Sequence, residues 1–120
     1  MATLTVYGIK NCDTMKKAFA WLDAKGVEYT FHDYKKQGAE KAVLQRAFDE
    51  KGWDSVINRK GTTWRALPDD VKEKTTAASA LKLALENPSL VKRPLIVTEK
   101  GIILGFDADE YAAAFLSKKR

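Results

Sequence analysis

A chain of 120 residues, 45% of them hydrophobic, can fill one core, so one domain is expected. No apolar run approaches the ~20 residues of a membrane span, the start MATLTVYG lacks the basic opening and long apolar core of a signal peptide, and a single cysteine allows no internal disulfide; together these argue against a membrane or secreted protein and leave the cytoplasm as the default. The net charge of +5 is scattered apart from the tail Lys118-Lys119-Arg120, with no basic block and no interleaved aromatics, so a solvated basic surface is favoured over a nucleic-acid footprint.

Residues 3–7 (TLTVY) read as a buried strand. A polar turn leads to Cys12, and from Met15 the pattern becomes helical, with Met15, Ala18, Phe19 and Leu22 on one face. Lys25-Gly26 is a helix stop. Residues 27–34 (VEYTFHDY) alternate as a half-buried strand should. Two strands joined by one helix make a βαβ unit, parallel and right-handed. A long stretch without strand character follows. Lys41–Lys51 carries Val43, Leu44, Ala47 and Phe48 at helical spacing, and Gly52-Trp53 ends it. Residues 53–67 read as irregular, anchored by Trp64 and Leu67, and Pro68-Asp69-Asp70 as a turn or short helix start. Residues 75–86 form a second helix with Ala77, Leu81, Ala84 and Leu85 along one side, stopped by Asn87-Pro88-Ser89. Strand signal returns at Leu95–Val97 after Pro94, residues 99–101 (EKG) make a hairpin turn, and Ile102–Leu104 is the partner strand. Asp107 and Glu110 have capping-box spacing and open a last helix with Tyr111, Ala114 and Phe115 inward.

The order is βαβ, a helical insertion, then ββα. A parallel βαβ joined to an antiparallel ββα is the thioredoxin arrangement, so the expectation is an α/β, thioredoxin-like fold with a mixed sheet and an inserted helical subdomain. The expected division of residues 1–120 is a core of about 1–35 and 90–120 with an insertion of about 36–89. In that fold a reactive cysteine stands at the start of the first helix and a proline precedes the third strand; Cys12 and Pro94 hold those positions. An ordinary thiol titrates near ~8.5 and is about 3% ionised at neutral pH. Unpaired amides and the positive end of a helix favour the thiolate. The alternative for Cys12 is a small buried hydrophobe.

GIKNCDT at 8–14, NRKGTTWR at 58–65, VKRPL at 91–95 and LGF at 104–106 together resemble the arsenate reductase (ArsC/Spx) family, nearest its YffB-like branch, over essentially the whole chain. The resemblance implies a single ArsC-like domain over 1–120 and a nucleophilic cysteine, matched by Cys12. It implies arginines around that cysteine, one from the insertion and one before the proline, matched by Arg59 and Arg93. A third arginine of the glutathione-linked enzymes falls at Phe106, so arsenate reduction is expected to be weak or absent. The C-x-x-C switch of the Spx regulators is missing, since Met15 stands at its second position.

A guanidinium presents a planar fork of donors that suits an oxyanion or carboxylate, which favours Arg93 and Arg59 as anion-binding residues; Arg65 competes with Arg59, and a weak surface ion pair is the alternative for each. Asn11 and Thr14 flank Cys12 and suit either the thiolate or helix capping. Lys16 and Lys17 read as a solvated face or a greeting for an anion. His32, the only histidine, reads as structural. Trp53 and Trp64 read as packing, with a cleft-rim contact as the alternative. One cysteine and one histidine far apart make no metal site.

Two functions follow. The first is a thiol-dependent reductase using Cys12, with no tightly bound cofactor and glutathione as co-substrate. A glutathione or glutaredoxin-type thiol resolves the intermediate, the substrate is a small oxyanion or disulfide, and the protein is a monomer that engages neither nucleic acid nor membrane. The second is a non-catalytic, Spx-like module that binds a protein partner.

Overall fold

The computed structural model describes residues 4–10, 12–98 and 101–116. Strands β1 (Thr5–Gly8), β2 (Thr30–Asp33), β3 (Leu95–Val97) and β4 (Ile102–Leu104) form one sheet in the order β2-β1-β3-β4. β1 and β2 are parallel, with Thr5 opposite Thr30; β3 is antiparallel to β1, and β4 to β3. Helix α1 (Asp13–Ala24) crosses between the parallel strands and α8 (Ala108–Phe115) follows the hairpin. This is the mixed, thioredoxin-like α/β arrangement that the strand and helix order predicts.

Successive strand residues point to opposite faces, and each strand serves two cores. Val6, Ile96 and Ile103 meet Met15, Ala18 and Leu22 of α1 and Tyr111 of α8. Tyr7, Leu95 and Ile102 meet the helices that lie between β2 and β3 in sequence.

Helix α1 starts two residues earlier than the apolar pattern shows, because Asp13 in its first turn complements the helix dipole. It stops at Lys25 with Gly26 at φ 70°, a conformation that costs glycine little. Strand β2 is shorter than the expected 27–34. Val27 N donates to Leu22 O (2.9 Å), so the chain folds back on the helix before it enters the sheet. Tyr34 has left the strand and opens a single turn, α2 (Tyr34–Gln37), capped by the Asp33 carboxylate.

α3 (Lys41–Lys51) has the expected bounds and buries Leu44, Ala47 and Phe48. The stretch read as irregular contains two single-turn helices, α4 (Trp53–Val56) and α5 (Thr62–Arg65), too short for periodicity to reveal. α6 (Asp69–Glu73) follows Pro68. α7 (Ala77–Glu86) begins with a capping box between Thr76 and Ser79 and buries Ala80, Leu81 and Ala84. Ala77, expected on the buried side, is the first helical residue and stays exposed.

The chain then returns to the sheet through a clamped segment. After the 3-10 turn Pro88–Leu90, Asn58 N donates to Leu90 O (2.8 Å), Lys92 N donates to Val56 O (2.9 Å), and Ile57 bridges Val91. Arg93 and Pro94 thus enter β3 from a fixed position. The Arg93–Pro94 bond is cis. Of the hairpin turn, Glu99 and Lys100 lie outside the described residues. Strand β4 is an edge, and the Glu50 carboxylate of α3 accepts its Ile102 amide (2.8 Å). In the last helix only half of the anticipated capping box is seen, with Asp107 accepting from Glu110 N (3.1 Å).

Candidate active site

The site is built where β1 gives way to α1. Gly8 ends the strand directly over Met15: a Cβ there would lie 2.5 Å from Met15 Sδ, so any larger residue would force the buried Met15 side chain to shift. Met15 is fully buried. That anchors the first turn of α1 and leaves Cys12 at its N-cap, extended at φ −147°, ψ 130° and half-buried against the α1/α8 core.

Two opposed effects act on the thiol. Burial raises its pKa. The backbone N–H of Met15, the Arg93 side chain and the N–H of Thr14 lower it, and together they prevail, leaving Cys12 below the ordinary thiol value. The side chain makes no capping hydrogen bond of ordinary length; the amides act on the sulfur as oriented dipoles at the positive end of the helix.

Arg93 is the charged partner of the thiol. Its Nη1 donates to Ser89 O (2.9 Å), which steadies the guanidinium on the clamped segment. Its Nε is buried and has no hydrogen-bond partner among the described residues. The same holds for Tyr34 Oη, whose pKa is raised by burial and by Tyr7, against the lowering influence of Arg93. Tyr7 Oη donates to Glu40 Oε1 (3.0 Å), and burial followed by that carboxylate pushes its pKa up to about 12. His32 stacks on Tyr7 with ring centroids 4.6 Å apart, and its Nε2 lies 2.6 Å from Gly38 O. A carbonyl only accepts, so His32 donates from Nε2 and ties α2 to the sheet. Tyr34, which feels Arg93, and the Tyr7–Glu40 pair beside it escape a reading of spacing, because Tyr7 and Tyr34 look like strand residues and Glu40 like a solvated charge.

The other expected site residues sort clearly. Pro94 is fully buried behind Arg93, and Gly105 N donates to its carbonyl (2.9 Å), which joins the LGF segment to the VKRPL segment. Thr14 contributes its amide. Asn11 lies outside the described residues. Arg59 is exposed and engaged within the insertion, its guanidinium carbon 5.8 Å from the centroid of the Trp53 ring; it is not among the groups that shift Cys12. Arg65 is exposed at the end of α5, its carbonyl accepting from Lys72 Nζ (3.3 Å). Trp64 is buried and Trp53 packs beside it at 6.2 Å. Phe106 sits edge-to-face on Tyr111 with centroids 5.1 Å apart and packs, partly exposed, against the α1/α8 core. Among the described residues there is no cluster of metal-ligating side chains and no helix long and apolar enough to cross a membrane.

Joined motifs, fold and site define a thioredoxin-like protein of arsenate-reductase type. The ArsC family model matches residues 7–114, and the chain belongs to the ArsC family. Its relation to the YffB-like branch is direct: a solved YffB protein is 48% identical, with 92% of this chain and 97% of that one covered and a TM-score of 0.87. An arsenate reductase (ArsC) related protein from Brucella melitensis is 46% identical over 97% of this chain and 96% of that one, with a TM-score of 0.75. The global transcriptional regulator Spx of Streptococcus agalactiae is 32% identical over 112 residues, which is 92% of this chain and 81% of that protein.

Proposed function

We propose that this protein is a thiol-dependent reductase in which Cys12 is the nucleophile and glutathione the co-substrate. One observation carries the reading: a half-buried cysteine at a helix N-terminus whose thiolate is favoured by the Met15 and Thr14 amides and by Arg93. A thiolate attacks sulfur best when its pKa lies near the ambient pH. On a mixed disulfide between glutathione and another thiol, the Cys12 thiolate attacks the glutathione sulfur. A Cys12–glutathione disulfide forms, the substrate disulfide breaks, and the other thiol leaves with the electron pair and takes a proton. No second cysteine can resolve the adduct. A second glutathione thiolate therefore attacks it, releasing oxidised glutathione and restoring the Cys12 thiolate. The net change is that the mixed disulfide and one glutathione thiol become the free substrate thiol and oxidised glutathione.

Glutathione has two carboxylates and a peptide backbone. Arg93 suits a carboxylate through its guanidinium, and the backbone beside Pro94 suits the peptide by strand-like pairing. Arg59, whose guanidinium carbon lies 5.8 Å from the Trp53 ring centroid, is assigned no step in this scheme. Arsenate is not the proposed substrate. A dry oxyanion site needs several fixed donors, and a partly exposed Phe106 packs against the α1/α8 core where a third arginine would stand.

Mass spectrometry after incubation with oxidised glutathione tests the reading. The expected result is one glutathione adduct on Cys12, absent in Cys12→Ser, with reduction of a glutathione mixed disulfide lost in the same variant. Absence of both adduct and turnover in the unaltered protein overturns it, and efficient glutathione-dependent arsenate turnover overturns the exclusion of arsenate.

Kinship with Spx regulators supports a second reading, a partner-binding module. Here the second position of the C-x-x-C pair is the fully buried Met15, so the disulfide switch has no counterpart. Partner binding unchanged in Cys12→Ser, with no turnover of any disulfide, favours this reading over the first.

A further inference from the structure

A groove of about 390 Å³ lies against α1 and the edge strand β2, lined by Lys10, Lys16, Phe19, Tyr29 and Phe31. Its floor is a set of three rings that hold one another. Phe19 stacks on Tyr29 at 5.6 Å and meets Phe31 edge-on at 5.1 Å. All three pack on the α1/α8 core yet remain partly exposed, so one face of the cluster is open. Tyr29 Oη is spent on Asp23 (3.1 Å), which leaves the floor apolar. The rim is cationic: Lys10 and Lys16 are exposed, and neither is in an ion pair among the described residues.

The groove runs along the helix whose start carries the thiol. Lys16 N donates to Cys12 O (2.9 Å), so Lys16 stands one helical turn beyond Cys12, and residues four apart share a helix face. Lys10 precedes Cys12 by two residues. Phe19 follows Cys12 by seven residues, so a ligand seated on the rings reaches the sulfur only by extending along about two turns of α1, ~10 Å of rise, past Lys16. A pocket of this size with an apolar floor and few convergent polar groups is the usual form of a small-molecule site.

We infer that this groove binds an amphipathic organic anion, an aromatic or branched aliphatic body carrying a carboxylate. Resting on the reductase reading, it holds the half of the mixed disulfide that leaves when Cys12 takes the glutathione sulfur. The rings cover the apolar body, and Lys10 and Lys16 face the carboxylate. The substrate class is then a thiol-bearing aromatic or aliphatic acid joined to glutathione.

Two measurements test this. In the first, 4-phenylbutyrate, which has no thiol, is titrated into the Cys12→Ser variant by NMR. Saturable shifts are expected at Lys10, Lys16, Phe19, Tyr29 and Phe31. The uncharged 4-phenylbutanamide should bind about fivefold more weakly, as should 4-phenylbutyrate to the Lys10→Gln/Lys16→Gln protein, the size expected for losing exposed ion pairs. No saturable shift at these residues, or equal affinity for acid and amide, overturns the groove. In the second, kcat/KM is compared for two mixed disulfides of glutathione, one with 5-thio-2-nitrobenzoate and one with 2-mercaptoethanol. The ratio of the first to the second should fall about fivefold in Lys10→Gln/Lys16→Gln, and because it is a ratio, changes in the thiol itself cancel. An unchanged ratio overturns the substrate assignment. Turnover of neither disulfide by the unaltered protein, with the acid still bound, overturns the reductase reading and leaves the binding site standing.

Discussion

The two faces of the sheet are built differently. On one, α1 and α8 bury Met15, Ala18, Leu22 and Tyr111 against Val6, Ile96 and Ile103, and the buried Tyr111 hydroxyl is satisfied, Oη donating to Gly105 O (2.6 Å). On the other, the inserted helices cover Tyr7, Leu95 and Ile102, and the same side carries Tyr34 Oη and Arg93 Nε, both buried and without partners among the described residues. The first face is a closed, apolar support that sets where α1 begins. The second delivers the charge. Cys12 packs on the first and feels Arg93 from the strand entry beside the second. A helix start and a guanidinium therefore meet at one sulfur only because both faces are in place.

The sharpest way to break this contrast is to hollow out the support. Tyr111→Ala removes a fully buried ring that touches Trp21, Phe106 and Phe115. It should cost about 3–5 kcal/mol in urea unfolding, the range for truncating a large buried aromatic, and it should blunt Cys12 reactivity through the loosened start of α1. Stability within error of the unaltered protein would show that the α1/α8 face is not the support described.

Removing the charge should leave the support intact. Arg93→Ala takes away one charge-assisted hydrogen bond and one positive charge, so glutathione binding should weaken about tenfold or more and the pH midpoint of Cys12 alkylation should rise. Isothermal titration and alkylation rates against pH read the two effects separately. An unmoved midpoint would mean that the helix amides alone set the thiolate.

A smaller effect tests the same linkage through stability. The folded-state pKa of Cys12 lies below its unfolded value. The thiolate thus contributes stability above the unfolded thiol value, and that contribution is lost as pH falls through the folded value. The Tm difference between the unaltered protein and Cys12→Ser should be larger at about pH 9.5 than at about pH 6, on either side of an ordinary thiol. A difference that shrinks with rising pH would contradict the lowered pKa.

The smallest expected change is Tyr34→Phe. A buried hydroxyl without a partner is a cost, so its removal should be neutral or stabilising by up to about 1 kcal/mol. A clear loss of stability would reveal a partner for the hydroxyl and redraw the polar side of the comparison.

Much of this was legible in the residues. The bounds of α3, β3 and β4 follow from pattern alone, because charges interrupt the apolar residues of α3 at helical spacing and β-branched runs flank the hairpin. The cysteine at a strand-to-helix junction was equally visible. What pattern missed has local causes. Single-turn helices such as α4 and α5, four residues each, barely complete one period and so show no repeat. Residues 27–29 alternate like a strand, yet they lie against α1 through the Val27–Leu22 bond. Arg59 reads as a cleft arginine by motif; its guanidinium carbon lies 5.8 Å from the Trp53 ring centroid, a neighbour no spacing reveals.

The sequence by itself determined the strands and the longer helices, their order and the placing of one thiol at a helix start, since these rest on local periodicity, turn residues and capping. Only the tertiary structure decided which arginine reaches that thiol. Arg93 follows Cys12 by 81 positions in the chain, and no local pattern relates them. Pairing of β3 with β1, and the bonds that fasten Lys92 and Leu90 to residues 56–58, bring the guanidinium to the sulfur. The same holds for the groove: Lys16 and Phe19 belong to a helix and Phe31 to a strand, and it is their packing across the βαβ crossover that turns separate residues into a surface able to hold a ligand.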